Sequence, residues 1–549
     1  MKTRRWLTDR AILGLFLAAL LVAAGSPFLR AQNDDANANE PSIQQSLKNF
    51  TNVYDLIEQN YADPLKPNRA IYGPDSGNGL NTLGAIPGML RTLDPHSNFF
   101  DPQRFAQLRE EMQGKYYGVG MRIVGRVGKM GKLETEVVQP IPGSPAFRAG
   151  LRPGDLITAV DGQSTFNLDS SKVADMLKGP QGTIVHISVS REGYDKPLQF
   201  TVTRDKILPQ SVTDVFFLRP GIAYLHITSF NETTNDELAA DLQKLGGEQN
   251  LQGLVLDLRD NPGGLLNEAV GVSDHFLEKG QLIVYHVGRR SEQKKYVANH
   301  GETGNQFPII VLINRFTASA AEIVTGALQD HDRALVIGEP SFGKGLVQSE
   351  FPLSEHTMLL LTTAHYYTPS GRLIQRDYSH VSLYDYYNRS ETDPAPHTQM
   401  KLTDGGREVF GGGGITPDIR FTRPQLNKVQ EKLADADAFF TFSQHYLGVH
   451  KTIPPDFQVD EPVITDFKKY LDSQKQPVSD QDIAANLPFI REHIRAQLVA
   501  AIYGQTQADQ ITVENDPEVQ KALASFDQAK QLLVQAHHYM ASKGAQPGY

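Results

Sequence analysis

Three short stretches hold residues whose types and spacing suit acyl transfer: DLRDNPGG (257–264), FTASAAE (316–322) and GEPSFGKGLVQ (338–348). In the second, Ser319 sits between a continuous apolar run, PIIVLIN (308–314), and a helix-like run, AAEIVTGALQD (320–330). A serine at a helix start reads first as an N-cap. A strand–Ser–helix junction also exposes the hydroxyl at the carboxyl end of the strand. It aims unpaired backbone N–H groups, that of Ala320 among them, at whatever reacts there. A serine nucleophile needs a base. With 16 histidines in the chain, a Ser-His-Asp set stays open, yet no landmark selects a histidine for it.

The third stretch offers a lysine. Gly338, Gly343 and Lys344 match the G-x-x-x-x-G-K of a phosphate-binding loop. Gly345 then stands where Ser or Thr must hold magnesium, and the strand-like LVQSEF follows where a helix is needed. The match fails where its chemistry lies. As a general base, Lys344 must fall from an ordinary pKa of about 10.4 to roughly 7–8, chiefly by burial away from water. The glycines on both sides admit the close backbone approach such a pocket requires. If KGLVQ is a strand, Lys344 and Gln348 share a face. An amide there orients the amine without adding a negative charge that would hold its proton on. In the first stretch, Gly263 and Gly264 are candidates to present an N–H to a developing oxyanion, opposite that of Ala320. Such a donor lowers the barrier by ~3–4 kcal/mol; a plain strand-to-helix turn is the bland alternative. Asp257, Arg259 and Asp260 read as bracing for that turn rather than as reacting groups.

These residues need a scaffold. From 221 onward, GIAYLHI, GLVLDL, QLIVYHV, PIIVLIN, ALVIGE and TMLLLTTAHYY read as strands. Between the first of them fall helices: TNDELAADLQKLG, with Thr234 and Glu237 at capping-box spacing, LLNEAVGVSDHFLEKG and AAEIVTGALQD. Continuous apolar strands alternating with helices predict βα units covered on both faces. Ahead of them lies a small β-rich module of short alternating strands and Gly/Pro turns, with one helix, DSSKVADMLKG. The chain before the module, and everything after GGGGITPDI (411–419), reads as mostly helical.

Composition sets limits. A chain of 549 residues exceeds one core, and 40% apolar with 21% charged residues predicts mostly globular structure. A net charge of −10 without a basic stripe argues against nucleic-acid binding. The absence of cysteine removes disulfides, thiolate nucleophiles and Cys-ligated zinc together; no metal or cofactor is expected. At the N-terminus, MKTRR precedes the apolar AILGLFLAALLVAAG (11–25) and then SPFLRAQ, the order of a secretory signal. The run is short of the ~20 residues of a full membrane span. Cleavage near Ala31 and retention as an anchor both stay open. No later segment is apolar enough to span a membrane.

In this order and spacing, the three stretches resemble the motifs of the carboxyl-terminal processing proteases, PDZ-containing serine peptidases with a Ser–Lys dyad. Lys344 follows Ser319 by 25 residues, with Gln348 four further on. The resemblance implies Ser319 as nucleophile, Lys344 as general base and Gln348 as its orienting partner, with Ala320 and the Gly263/Gly264 turn as oxyanion hole. LDPHSNFFDP (93–102) is similar to the family's N-terminal signature. The β-rich module resembles a PDZ domain, with YYGVGMRI as its carboxylate-binding loop and PGSPAFRAGLRPGDLITAVDG as its next landmark. Tyr117, Gly118, Val119 and Gly120 are then the tail-binding residues, and a helix at 169–178 lines the side-chain pocket. The family often has serine where Ala321 stands, a departure that leaves nucleophile and base intact. The resemblance covers roughly residues 42–420.

The expected architecture is multidomain α/β. It comprises a signal peptide or membrane anchor (1–31), a linker (32–41), an N-terminal helical region (42–112) and an inserted PDZ-like module (113–206). A crotonase-like βα protease core (207–425) and a C-terminal helical region (426–549) follow. The expected function is a serine endopeptidase outside the cytoplasm, in a bacterial periplasm, that recognises substrate C-terminal tails and cuts through an acyl-enzyme. Its partners are proteins or peptides with accessible C-termini, a membrane contacted by the N-terminus, and a second copy through the helical ends. Two rivals stand beside it: a PDZ adaptor with a dead core, which loss of Ser or Lys would have favoured, and a Ser-His-Asp hydrolase on the same core, which substitution of Lys344 separates.

Overall fold

The computed structural model describes residues 43–60, 71, 84–128, 131–247, 250–290, 292–300, 307–353, 356–388 and 399–543. At its centre a six-stranded sheet runs in the order Val212–Arg219, Ile222–Ile227, Gly253–Asp257, Ile309–Ile313, Ala334–Gly338, Ile419–Arg420. The first pair is antiparallel and the rest are parallel. Gly253–Asp257, Ile309–Ile313 and Ala334–Gly338 are buried at every residue, as continuous apolar runs demand of a sheet covered twice. Their side chains divide between two cores. Leu254, Leu256, Ile309, Val311 and Val336 pack with helices Thr234–Lys244, Leu266–Asp274 and Ala320–Asp330. Val255, Ile310, Leu312, Leu335 and Ile337 pack with Val519, Ala522, Ala529 and Leu532, from helices Pro517–Ala524 and Phe526–Lys543. Each fully buried Val or Leu there contributes roughly 1.5–3 kcal/mol. Gly253 has no Cβ because Phe526 fills its place: a Cβ would lie 2.5 Å from the Phe526 ring.

A second, antiparallel sheet joins Asn98–Phe100, Leu282–Val287, Lys294–Val297, Leu346–Pro352 and Met358–Tyr367. It ties the N-terminal region to the strand that follows Lys344. In the β-rich module, Met121–Val127, Leu133–Pro140, Leu156–Val160, Ile184–Ser190 and Leu198–Thr203 form an antiparallel sheet in that order, which leaves Met121–Val127 an edge strand. Helix Ser170–Leu177 sends Val173 and Leu177 into the same small core. The two joints of the module meet, because Tyr116–Gly118 pairs antiparallel with Asp205–Ile207. The module also touches helix Ala438–His450, where His445 Nδ1 lies 3.2 Å from Glu192 Oε1.

The helical ends are present, as helices Ile43–Asn60, Ala85–Arg91 and Pro102–Gln113 and a run of helices from Lys428 to Lys543. Three expectations change. Strand Asn98–Phe100 interrupts the N-terminal helical region. The strand after Lys344 begins only at Leu346, so Lys344 lies in the preceding loop and period-two alternation does not place it beside Gln348. No capping box joins Thr234 and Glu237: the N-cap is Thr233. The Glu237 carboxylate instead accepts from Ser211 N–H (2.7 Å) and Val212 N–H (2.9 Å), stitching the helix to the first strand. The signal or anchor and the linker lie outside the described residues. Among the described residues, no helix is long and apolar enough to cross a membrane.

Candidate active site

Strand Ile309–Ile313 delivers the chain to Ser319, and helix Ala320–Asp330 leaves from it. Ser319 has φ 54° and ψ −116°. An N-cap ordinarily keeps extended backbone. This is instead the first central position of a type II′ turn, which favours glycine, and the Ala321 N–H closes the turn on Ala318 O at 3.1 Å. Such a conformation costs a non-glycine residue of order 1–3 kcal/mol and clusters at functional sites.

Glu322, wholly buried in the first turn of the helix, holds the turn in place. Its Oε2 accepts from Ser319 N–H (2.9 Å) and Lys344 N–H (2.8 Å). Its Oε1 accepts from Gly343 N–H (2.7 Å) and Ser341 Oγ–H (2.5 Å). Burial pushes this carboxyl upward and the four donors pull it back. One carboxylate therefore joins the backbone of the serine to that of the lysine. From the other side, the buried Tyr366 Oη lies 3.1 Å from Ser319 O and also contacts Lys344 O.

Burial lowers the Lys344 amine to about 8, against the opposing pull of Asp94 and Glu322. Its Nζ donates to Gln348 Oε1 at 3.1 Å. The partner strand carries an extra residue between Ala364, opposite Val347, and Thr362, opposite Gln348, and bulges of this kind re-aim side chains near active sites. Gln348 Nε2 in turn donates to His96 O at 2.5 Å, which leaves the amide oxygen for the lysine. Asp94 sets that carbonyl by accepting from His96 N–H and Ser97 N–H, both at 2.7 Å. The His96 ring bonds Tyr386 Oη at 2.8 Å. Burial, then Lys344 and Arg376, push its pKa well below the ordinary value. Among the described residues, no histidine hydrogen-bonds Ser319.

The DLRDNPGG turn lies against the serine. A Cβ on Gly263, at φ 95°, would fall 2.6 Å from Ser319 Cβ and 2.8 Å from Ala320 N, so only glycine fits. The Gly263 N–H is engaged by Asn261 Oδ1 at 2.8 Å. Among the described residues, the Gly264 and Ala320 N–H groups meet no acceptor. In the β-rich module, Gly118 pairs with Asp205, Tyr117 is exposed, and Val119 is buried in the module's core, so Val119 offers only its backbone. The Val119 and Gly120 N–H groups meet no acceptor among the described residues. They stand at the head of the edge strand, near the carboxyl end of helix Ser170–Leu177: a Cβ on Gly118 would lie 3.6 Å from Leu177 O.

Residues 221–380 match the profile of Peptidase family S41, and 136–191 that of the PDZ domain. The chain is 37% identical over 367 residues to the carboxy-terminal-processing protease of Bartonella bacilliformis, spanning 66% of this chain and 79% of that one. This chain belongs to the carboxy-terminal-processing proteases. The carboxyl-terminal-processing protease of Synechocystis sp. is 38% identical over 303 residues, 54% of this chain and 70% of its own. The structure of the photosystem II D1 C-terminal processing protease is 28% identical, covers 69% of this chain and 94% of that one, and superposes with a TM-score of 0.34. As a member of this family, the chain is a serine peptidase bearing a PDZ domain.

Sequence reasoning missed several parts of this processing protease's site. Glu322 stood inside FTASAAE in capping-box spacing to Ser319, a signal that was available. Nothing announced that it also reaches Gly343 and Lys344. Glu322→Gln sets an NH2 against N–H or O–H donors on one side or the other. It should lower kcat/KM about 10- to 100-fold and stability by about 1–3 kcal/mol, read by peptide turnover and urea unfolding; unchanged turnover would reduce Glu322 to packing.

Proposed function

We propose that Ser319 is the nucleophile of this processing protease, Lys344 its general base and Gln348 the partner that orients the base. The observation that carries this reading is a lysine lowered to about 8, facing a neutral amide and tied through Glu322 to a strained serine. The free amine takes the Ser319 Oγ proton as the Oγ–carbon bond forms. The Ala320 and Gly264 N–H groups receive the negative charge that develops on the carbonyl oxygen. Gly264 is preferred to Gly263, whose N–H is engaged. The Lys344 ammonium then protonates the departing amine, which leaves an ester on Ser319. Water, losing a proton to Lys344, releases the acid and restores the Ser319 hydroxyl.

Tail selection is assigned to the PDZ domain, placed at 113–206, with the protease core at 207–425. The substrate extends the edge strand Met121–Val127, and its terminal carboxylate meets the Val119 and Gly120 N–H groups. A peptide with a free apolar C-terminus should be cut internally. Amidating that terminus should lower kcat/KM at least about tenfold, since each charge-assisted hydrogen bond contributes ~1.5–3 kcal/mol. Equal turnover of free and amidated peptides would reject tail recognition.

The N-terminal segment supports a site of action outside the cytoplasm, in a bacterial periplasm. Cell fractionation and the N-terminal sequence of the mature chain test this, and separate cleavage near Ala31 from retention as an anchor. Helix Ile43–Asn60 exposes Ile43, Leu47, Phe50, Val53 and Leu56, a surface for self-association that light scattering of the mature protein checks.

A further inference from the structure

Helix Pro517–Ala524 and its cap share a buried charge cluster with the DLRDNPGG turn. Arg259 Nε contacts Asp257 Oδ2 at 2.9 Å and Nη2 contacts the same oxygen at 2.5 Å. Its Nη1 donates to Asp516 Oδ2 at 2.9 Å and to Glu518 Oε2 at 2.8 Å. The Arg259, Asp257, Asp516 and Glu518 side chains are 10%, 2%, 9% and 6% exposed. Asp516 caps helix Pro517–Ala524 through Oδ1, which accepts from Glu518 N–H at 2.8 Å, so the helix start and Arg259 share one carboxylate.

From Arg259 the path to the reacting atoms is short. The Arg259 N–H donates to Asp257 Oδ1 at 2.9 Å. Two residues on, Asn261 O accepts the Ala318 N–H at 2.8 Å, and Asn261 Oδ1 accepts the Gly263 N–H. Arg259 thus stands at the base of the turn that carries Gly264 and lies against Ser319. We infer that Asp516 and Glu518 are positioning residues for the oxyanion turn, acting through Arg259. With Asp257 alone, the guanidinium keeps one anchor on its own segment of chain. The two carboxylates from the C-terminal helix fix the remaining edge of its planar fork. Attachment of that helix does not require them, since Val519 and Ala522 already pack on the sheet. Buried ion pairs are weak devices for stability and better ones for fixing a geometry.

The inference rests on the reading of Gly264 and Ala320 as oxyanion donors, and its test separates the two. Asp516→Asn, Glu518→Gln and the double variant keep side-chain shape and are made in the full chain. Each is assayed well below its unfolding midpoint, with kcat expressed per titrated active site. The double variant should lose kcat about 30-fold. KM and the affinity for an uncleavable tail peptide should stay within about twofold, because only a transition-state interaction is weakened. Affinity for a peptide boronate, whose tetrahedral adduct on Ser319 places an oxygen in the hole, should fall in parallel with kcat. Arg423→Gln, which strips Asp516 of its exposed partner and leaves Arg259 bound, should keep turnover within about twofold. If the double variant does not fold, the single variants carry the same readouts. Wild-type kcat per active site in a folded variant, or a lowered unfolding midpoint with unchanged kcat, overturns the inference. Failure of the boronate to bind the wild-type enzyme through Ser319 would instead sink the reading on which it rests.

Discussion

Ser319→Ala is expected to lower peptide hydrolysis by a factor of at least about 10⁴, the scale on which a nucleophile's loss registers in such dyads and triads. The fold should survive. The backbone at 319 is strained whatever side chain stands there, and alanine inherits that strain rather than adding to it. Glycine relieves it. At φ 54° and ψ −116° glycine has no Cβ to crowd the neighbouring carbonyls. Ser319→Gly should therefore be equally inactive yet more stable than wild type by about 1 kcal/mol, seen as a higher urea midpoint. The pair of variants separates two meanings of the serine. A cap would lose stability in both and activity in neither; a nucleophile on a strained turn loses activity in both and gains stability in one. Wild-type turnover by either variant would end the nucleophile reading.

Lys344 yields the second large effect and a pH signature. With the amine at about 8 in the folded enzyme, kcat/KM should climb about tenfold per pH unit up to about pH 8 and level off above it. Lys344→Arg keeps the charge but cannot shed a proton. It should be inactive at every pH, losing at least about 10³ in turnover. Stability also depends on pH, but in a higher window. Between about pH 8 and the ordinary lysine value of 10.5, the unfolded chain holds a proton that the folded one has released. Stability therefore rises with pH across that window, and the full cost of the buried base is present below it. Lys344→Met should accordingly stabilise the protein at pH 7 by about 1–3 kcal/mol, a gain that shrinks above pH 8. A methionine variant no more stable than wild type at pH 7, or a pH profile flat from 6 to 9, would show that the amine is not depressed.

Some of this was legible in the residues and some was not. The candidates Ser319, Lys344 and the paired glycines stand out in the sequence because the chemistry proposed for them needs a particular residue type. The parallel sheet was legible because a strand buried on both faces must be apolar throughout. His96 was not legible as a support, because it supplies a backbone carbonyl that any residue supplies. Glu322 was not legible as the link between serine and lysine, since spacing within a helix says nothing of the loop that returns to the helix start. The helices after Pro517 displayed apolar positions, but an apolar face does not state what it covers. The proposed preference for Gly264 over Gly263 rests on the Asn261 side chain, which engages the Gly263 N–H.

The ribbon formed by Tyr116–Gly118 and Asp205–Ile207 brings the entry and exit of the PDZ domain to neighbouring positions, with Tyr116 opposite Ile207. Paired residues on adjacent strands sit about 5 Å apart, so the whole domain hangs from one point of the main chain. Such a pendant can be exchanged without redirecting the polypeptide on either side. If tail selection lies in the PDZ domain as proposed, a foreign PDZ domain spliced at this ribbon would replace the list of tails the enzyme accepts while its bond-breaking chemistry stays as it was. On the proposed reading, selectivity is a detachable cassette, joined to the rest at this ribbon and touching it through Lys178–Glu110 (2.6 Å) and a patch on helix Ala438–His450.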